Sequence, residues 1–368
     1  MPWAGYARDI APRLTAWSKT ATVYSRAYSL SSSTSKSVPG MLSGRYPSEL
    51  TRTGVFFTRY ADENRFFCEQ LGEASIPCVA AHAHAYLGKG VAGFDQGFSV
   101  WKLVPGITFD PQTDPHITSQ KLTPLAIEML SDKKLTDKPF FAWFHFMDPH
   151  DQYKRHEDGP KFGGKPRDLY DEEVHFADEW VGKLLDFIEK QPWASKTALI
   201  LTADHGEAFG EHGLTRHAFE VYDVLVRVPW MIKMPGAKPR VIDVARSHID
   251  LAPTVVDLLG QPVDKALPGK SLKPELLGAL PEARDVICDL PQDDFNKRRR
   301  ALIHENLKLI AFENDQRFEL YRLDDDPSET RNLAKSDPAA LKAMVARYEA
   351  ASSTLTCGKV LGGIRKKD

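Results

Sequence analysis

The sequence has almost no net charge. Forty-eight Lys and Arg face 50 Asp and Glu, a formal balance of −2. A nucleic-acid footprint needs a strong basic excess, so none is expected. Long apolar runs are missing too, which excludes a bilayer-spanning helix within these residues. Cysteine is scarce: Cys68, Cys78, Cys288 and Cys357 show no metal-ligand spacing. Cys68 and Cys78 are close enough to pair, but nothing in the sequence requires it, and the redox compartment stays open. The start, MPWAGYARDIAPRL, has no apolar stretch of the kind an export signal carries. No internal repeat is visible. What is present, 368 residues that are 42% apolar and 27% charged, suits one large globular domain or a domain with a smaller companion.

The organising stretch is Ala198–Gly213, ALILTADHGEAFGEHG. A short apolar run predicts a strand buried on both faces of a parallel sheet. Ligands in such sheets bind beyond the carboxyl ends of the strands, where Asp204 and His205 stand. A carboxylate beside an imidazole suits a divalent cation, and Gly206 and Gly210 let the backbone turn away from the strand. The competing reading is a polar loop with a capping Asp.

Around it, apolar patterning alternates between strand and helix. Strands are expected at Val23–Leu30, Ile76–Ala80, Pro139–Phe146 and Val226–Met234. Helices are expected around Leu14–Ala21, over Asn64–Gly72, over residues 119–135 and over Asp171–Lys190. This order predicts a doubly wound, mostly parallel sheet covered on both faces. His248–Thr254 opens a further helix with Asp250 or Thr254 as cap. The texture changes near Pro268-Gly269. Short strands (Asp285–Asp289, Arg300–His304, Leu307–Phe312, Phe318–Tyr321) and a helix over Pro338–Thr354 then predict a small α+β subdomain. The expected division is therefore 1–268 and 269–368. Lys297–Arg300 reads as a solvated face, the tail Arg365–Asp368 as disordered, and His82 and His84 as a surface loop rather than a metal pair.

The hydroxyl cluster Ser29–Ser37 resembles a low-complexity linker when taken alone. It leads, however, into an apolar turn ending at Gly44, which suggests a helix N-terminus where hydroxyls cap and free N–H groups favour an anion.

Eight segments in order (SSTSKSVPGMLSGRYPSE, GFDQGF, PFFAWFHFMDPHDQY, YDEEVHFADEWVGKLLDFI, Ala198–Gly213, VYDVLVRVPWMIKMPG, HIDLAPTVVDLLG and ELYRLDDDPSETRNLA) resemble the sulfatase branch of the alkaline phosphatase superfamily. The resemblance implies an alkaline-phosphatase-like α/β/α sandwich and a metal-held nucleophile. It places that nucleophile ten residues before Gly44, and a second count, five residues before Pro39, also reaches Thr34. Asp204 and His205 match the family's paired metal ligands, for zinc, manganese or calcium, with Thr34 as a third donor. His217 and His150 match basic residues near the transferred group and the leaving group. Lys36, His145 and His212 are candidates for supporting contacts to the substrate.

Two departures matter. Sulfatases carry Cys or Ser that is oxidised to formylglycine, and Thr34 cannot follow that route. The family also begins with a strand ending in an acidic ligand before its Gly-Tyr segment, whereas Gly5-Tyr6 stands almost at Met1 here. That strand and ligand are expected to be missing, the chain reading as a fragment, a late start, or a domain cut away from an upstream, membrane-spanning region. The expected activity is hydrolysis of a sulfuric or phosphoric ester on a small anionic, glycan or lipid substrate. The alternatives are a phosphoethanolamine- or phosphoglycerol-type transferase and an inactive anion-binding remnant. The resemblance implies a periplasmic, extracellular or outward-facing location.

Overall fold

The computed structural model describes residues 1–108 and 116–364. The tail Arg365–Asp368 lies outside them. The fold is mixed α/β, as expected, and the chain forms two compact units interleaved in sequence. One comprises Met1–Thr22, Cys68–Ile200 and Ile232–Arg240; the other comprises Val23–Phe67, Leu201–Met231 and Val241–Asp368.

The first unit is built on a parallel sheet of order Val100–Leu103, Cys78–His82, Phe141–His145, with Val79 opposite Val100 and His82 opposite His145. The central strand is fully buried. Its Val79 and Ala81 pack with Leu122, Ala126 and Met129 of the helix Ser119–Leu130 and with Leu184 and Ile188 of the long helix Pro166–Glu189. The expected apolar stripe is therefore in place, but the same long helix also buries acids. Asp178 accepts hydrogen bonds from the backbone N–H of Arg13 (2.9 Å) and Leu14 (2.8 Å), satisfying the first amides of the helix Pro12–Ser18. Cys68 and Cys78 form a disulfide.

The second unit contains an antiparallel sheet, Val286–Leu290, Arg299–His304, Leu307–Phe312 and Arg317–Arg322, in sequence order. Strand alternation gives it two apolar faces. Ile287, Leu302, Leu309 and Leu320 pack with Met344 and Tyr348 of the helix Pro338–Ser353 and with Leu30 and Tyr46. On the opposite face, Cys288, Ala301, Ile303 and Ile310 pack with Tyr28, Val221 and Leu225. The sheet thus clamps the segment that leads to Thr34.

Several expectations are corrected. Strand Leu199–Thr202 is half-buried rather than buried on both faces, because it is the last strand of its sheet; the same holds for Phe141–His145. The run Lys297–Arg300 is not uniformly solvated. Alternation turns Arg300 inward, where its Nε lies 2.7 Å from the Asp289 carboxylate. Asp250 and Thr254 do not cap with their side chains. Asp250 is held by Arg284 and Lys270 N–H, and the Ser247 hydroxyl accepts from Ile249 N–H instead. His82 and His84 are not on a surface loop. His82 ends the buried strand, donating from Nδ1 to the His84 carbonyl, and His84 caps a short turn by accepting from Tyr86 N–H. Asp148, in the polar stretch after Phe146, is a buried cap that accepts from the N–H groups of Thr118 and Ser119.

Candidate active site

The hydroxyl cluster folds as the start of a helix, Thr34–Ser43, with Ser33 at its N-cap position and no side chain closing the first turn. From Ala27 to Gly44, Thr34 is the one residue that is not fully buried. Its Oγ1 lies 3.0 Å from His205 Nε2. His205 Nδ1 is 2.9 Å from the Gly206 carbonyl, and a carbonyl can only accept, so Nδ1 carries the proton. The Nε2 lone pair therefore faces the Thr34 hydroxyl, which donates to it. Asp204 Oδ2 is 3.6 Å from the same Nε2.

Gly206 permits this approach. A Cβ there would sit 2.2 Å from the Val224 carbonyl oxygen, and Gly206 N–H donates to Leu225 O at 2.7 Å. Close approach is thus the role of Gly206, while Gly210, at φ 124°, makes the turn.

His217 lies beside His205, with ring centroids 4.2 Å apart. Its Nδ1 is 3.1 Å from Glu207 Oε1, which orients the ring. Two non-glycine residues in the left-handed region flank it, Arg216 (φ 65°) and Ala218 (φ 82°). Ala218 is fastened on both sides: its N–H donates to Ser32 O at 2.8 Å, and its carbonyl accepts from Asn296 Nδ2 at 3.1 Å. Unfavourable backbone retained by surrounding bonds is a feature of working sites.

Lys36 points inward. Its Nζ is 2.8 Å from Asp293 Oδ2, with both side chains fully buried, and donates to the Phe56 carbonyl at 2.7 Å. Burial pulls its pKa down, opposed by Asp293. His212 stacks on Tyr222 at 3.7 Å, and burial lowers its pKa. His145 and His150 belong to the first unit. His150 Nδ1 donates to Asp151 O there, and His145 packs on Trp143. Among the site's partners, Glu207, Asp293 and Asn296 carried no sequence signal, because each partner is remote or unpatterned. His248 stands at the start of the expected helix and carried no signal of its own. Its Nε2 donates to Thr202 Oγ1 (2.7 Å), whose own proton goes to Pro229 O, and burial pushes its pKa down to about 4.

The donor set around Thr34 is one carboxylate, one imidazole and one hydroxyl, which fits a divalent cation completed by water or substrate oxygens. Among the described residues no group of three or more His, Cys, Asp or Glu side chains forms such a site.

Residues 2–261 match the Sulfatase family, and residues 210–350 match the family described as N-sulphoglucosamine sulphohydrolase, C-terminal. This chain belongs to the sulfatase family. It is 34% identical over 166 residues to the N-acetylglucosamine-6-O-sulfatase of Bacteroides thetaiotaomicron, covering 42% of this chain and 30% of that enzyme. Among curated relatives, the matched stretches span less than half of the relative's length in the first three. Two solved structures share the fold. The phosphonate monoester hydrolase of Agrobacterium radiobacter has a TM-score of 0.78 at 18% identity, over 95% of this chain and 92% of that one. A structure holding its substrate D-glucosamine-2-N,6-O-disulfate has a TM-score of 0.75 at 18% identity, over 94% and 93%. Metal use is general in this family.

Proposed function

We propose that the chain hydrolyses a sulfuric or phosphoric ester through direct attack by Thr34. The observation that carries this is the partial exposure of Thr34 alone within a buried segment, with its hydroxyl 3.0 Å from an imidazole nitrogen whose tautomer is set by Gly206. Asp204 and His205, with Thr34 Oγ1, would hold a divalent cation. When bound, it would lower the hydroxyl pKa and offset the charge of the ester.

The chain's own residues do the rest. Thr34 Oγ1 attacks the sulfur or phosphorus as the bond to the leaving oxygen breaks, and its proton passes to solvent, since the His205 Nε2 lone pair would be taken by the cation. His217, oriented by Glu207, donates a proton to the leaving alcohol. Water then cleaves the threonyl ester and releases the inorganic acid. Formylglycine plays no part in this route. The relatives' names support a sulfated glycan as substrate class. The Cys68–Cys78 disulfide supports an oxidising compartment, periplasmic or extracellular. Finding Cys68 and Cys78 alkylatable without reductant in the purified protein would refute that location.

The test pairs 4-nitrophenyl sulfate with bis(4-nitrophenyl) phosphate on wild type and Thr34→Ala, with bound metal measured on each. Turnover should fall by at least about 100-fold in Thr34→Ala with circular dichroism unchanged. A Thr34 peptide carrying the transferred group should be recovered after rapid quench. A fully active Thr34→Ala protein refutes the reading. A product in which an added alcohol carries the group would replace hydrolysis with transfer.

A further inference from the structure

Folding buries aromatic rings, so exposed ones are informative. Among the described residues, two aromatic side chains stand out as large exposed hydrophobics, Phe219 (45%) and Phe295 (58%). Both gather on one ring. Phe56 stacks on Phe219 (centroids 6.3 Å, 24°) and meets Phe295 edge-on at 5.6 Å, with Phe57 edge-on at 5.3 Å.

The cluster is rigidly mounted. Phe56 O accepts from Lys36 Nζ and from Ser35 Oγ (3.1 Å), and Phe56 N–H donates to Asp294 Oδ1 at 2.8 Å. Phe295 N–H donates to Asp293 Oδ1 at 2.9 Å, and Asp293 is the buried partner of Lys36. These anchors are also the neighbours of the chemistry. Ser35 and Lys36 directly follow Thr34, and Phe219 stands two residues after His217. The aromatic cluster is therefore fastened to the same two short segments that carry Thr34 and His217.

We propose that Phe56, Phe219 and Phe295 form a platform for the apolar ring face of the leaving group, whether the C–H face of a pyranose or an aryl ring. The proposal rests on the reading of Thr34 as nucleophile. Ring faces stack favourably on aromatic side chains, whereas a short alkyl group covers little of them. The platform thus sets specificity on the leaving-group side and leaves attack at the acid centre alone.

The test compares wild type with the double variant Phe219→Ala/Phe295→Ala on 4-methylumbelliferyl sulfate, glucosamine 6-sulfate and ethyl sulfate. For ring-bearing esters KM should rise about tenfold with kcat little changed, while ethyl sulfate kinetics stay within about twofold. A loss confined to the aryl ester assigns an aryl group, and a loss confined to the sugar ester assigns a pyranose. Equal kinetics of wild type and variant on all three overturn the proposal, as does dimerisation of wild type that the variant abolishes. Saturation-transfer NMR with sulfate-free 4-methylumbelliferone and methyl β-glucopyranoside reads the platform without turnover. Transfer lost in the variant supports it, and transfer retained for both probes overturns it. A wild type that binds these rings yet cleaves none of the esters refutes the Thr34 reading and not the platform.

Discussion

Replacing Asp293 by Ala should be among the most damaging changes away from the reacting atoms. The Asp293 carboxylate faces the Lys36 ammonium at 2.8 Å, and neither side chain is exposed. It also accepts from the N–H groups of Phe295 (2.9 Å) and Asn296 (2.7 Å). Without it, Lys36 keeps the Phe56 carbonyl at 2.7 Å as its one hydrogen-bond partner among the described residues, with the Phe56 ring at 5.0 Å and Asp294 as weaker attractions, and a buried charge that has lost its partner costs about 3–5 kcal/mol. Lys36→Met is gentler, because it leaves a carboxylate still held by two amides and costs about 1–3 kcal/mol. Lys36→Met combined with Asp293→Asn removes both charges and keeps an acceptor for the two N–H groups. It should be more stable than Asp293→Ala alone, and in the cycle closed by Asp293→Asn alone the coupling between the positions should be about 2 kcal/mol.

Burial already draws the Lys36 pKa down, so without Asp293 the amine can escape its cost by losing its proton. The Asp293→Ala penalty should therefore grow as pH falls. Urea unfolding followed by circular dichroism at pH 6 and pH 9 measures both effects. A loss below about 1 kcal/mol at pH 6, or strict additivity in the double variant, would refute the buried-pair argument.

Two further outcomes follow from the same structure. Burial, with His145 second, pushes the His82 pKa down to about 3, far below its unfolded value near 6.5. Between those values the unfolded chain binds the extra proton, so stability is full above pH 6.5 and falls on acidification toward pH 3. His82→Asn should flatten that slope by on the order of 1 kcal/mol per pH unit, and an unchanged slope in urea unfolding between pH 6.5 and 4.5 counts against it. Gly206→Ala must displace backbone, since its Cβ would stand 2.2 Å from Val224 O. A loss of about 1–3 kcal/mol with a larger loss of turnover is expected, and wild-type kinetics for this variant would show that the His205 loop tolerates the shift.

What could be read from the sequence was whatever the chain encodes within one element. Strand Cys78–His82, the long helix ending at Glu189, and the four C-terminal strands have local periodicity, and each appears within a few residues of its expected place. Asp204-His205 stood out because a carboxylate and an imidazole directly follow a strand end there. Burial at sheet ends was not legible, since apolar Phe141–His145 and Leu199–Thr202 read like central strands although each ends a sheet. Nor were the supports. Glu207 meets His217 across ten residues, Asp293 meets Lys36 across 257, and neither spacing has a local period.

The hydroxyl segment separates these two kinds of information. Composition alone makes Ser31, Ser32, Ser33, Thr34, Ser35 and Ser37 nearly equivalent, and a polar run of that kind suits a solvated linker. The fold buries all of them except Thr34. Ser33 and Ser35 hydroxyls bond each other, and Ser35 also bonds Phe56 O, so those groups are spent on structure. Thr34 is singled out by where the helix starts, and the start is set from outside the segment. Leu30 is fixed by Asp289 N–H from the C-terminal sheet, and Ser32 by Ala218 N–H from the His217 loop. Which of the six hydroxyls faces His205 is therefore a property of tertiary packing, and shifting the segment by one residue would bury the Thr34 hydroxyl and bring Ser33 or Ser35 to that place.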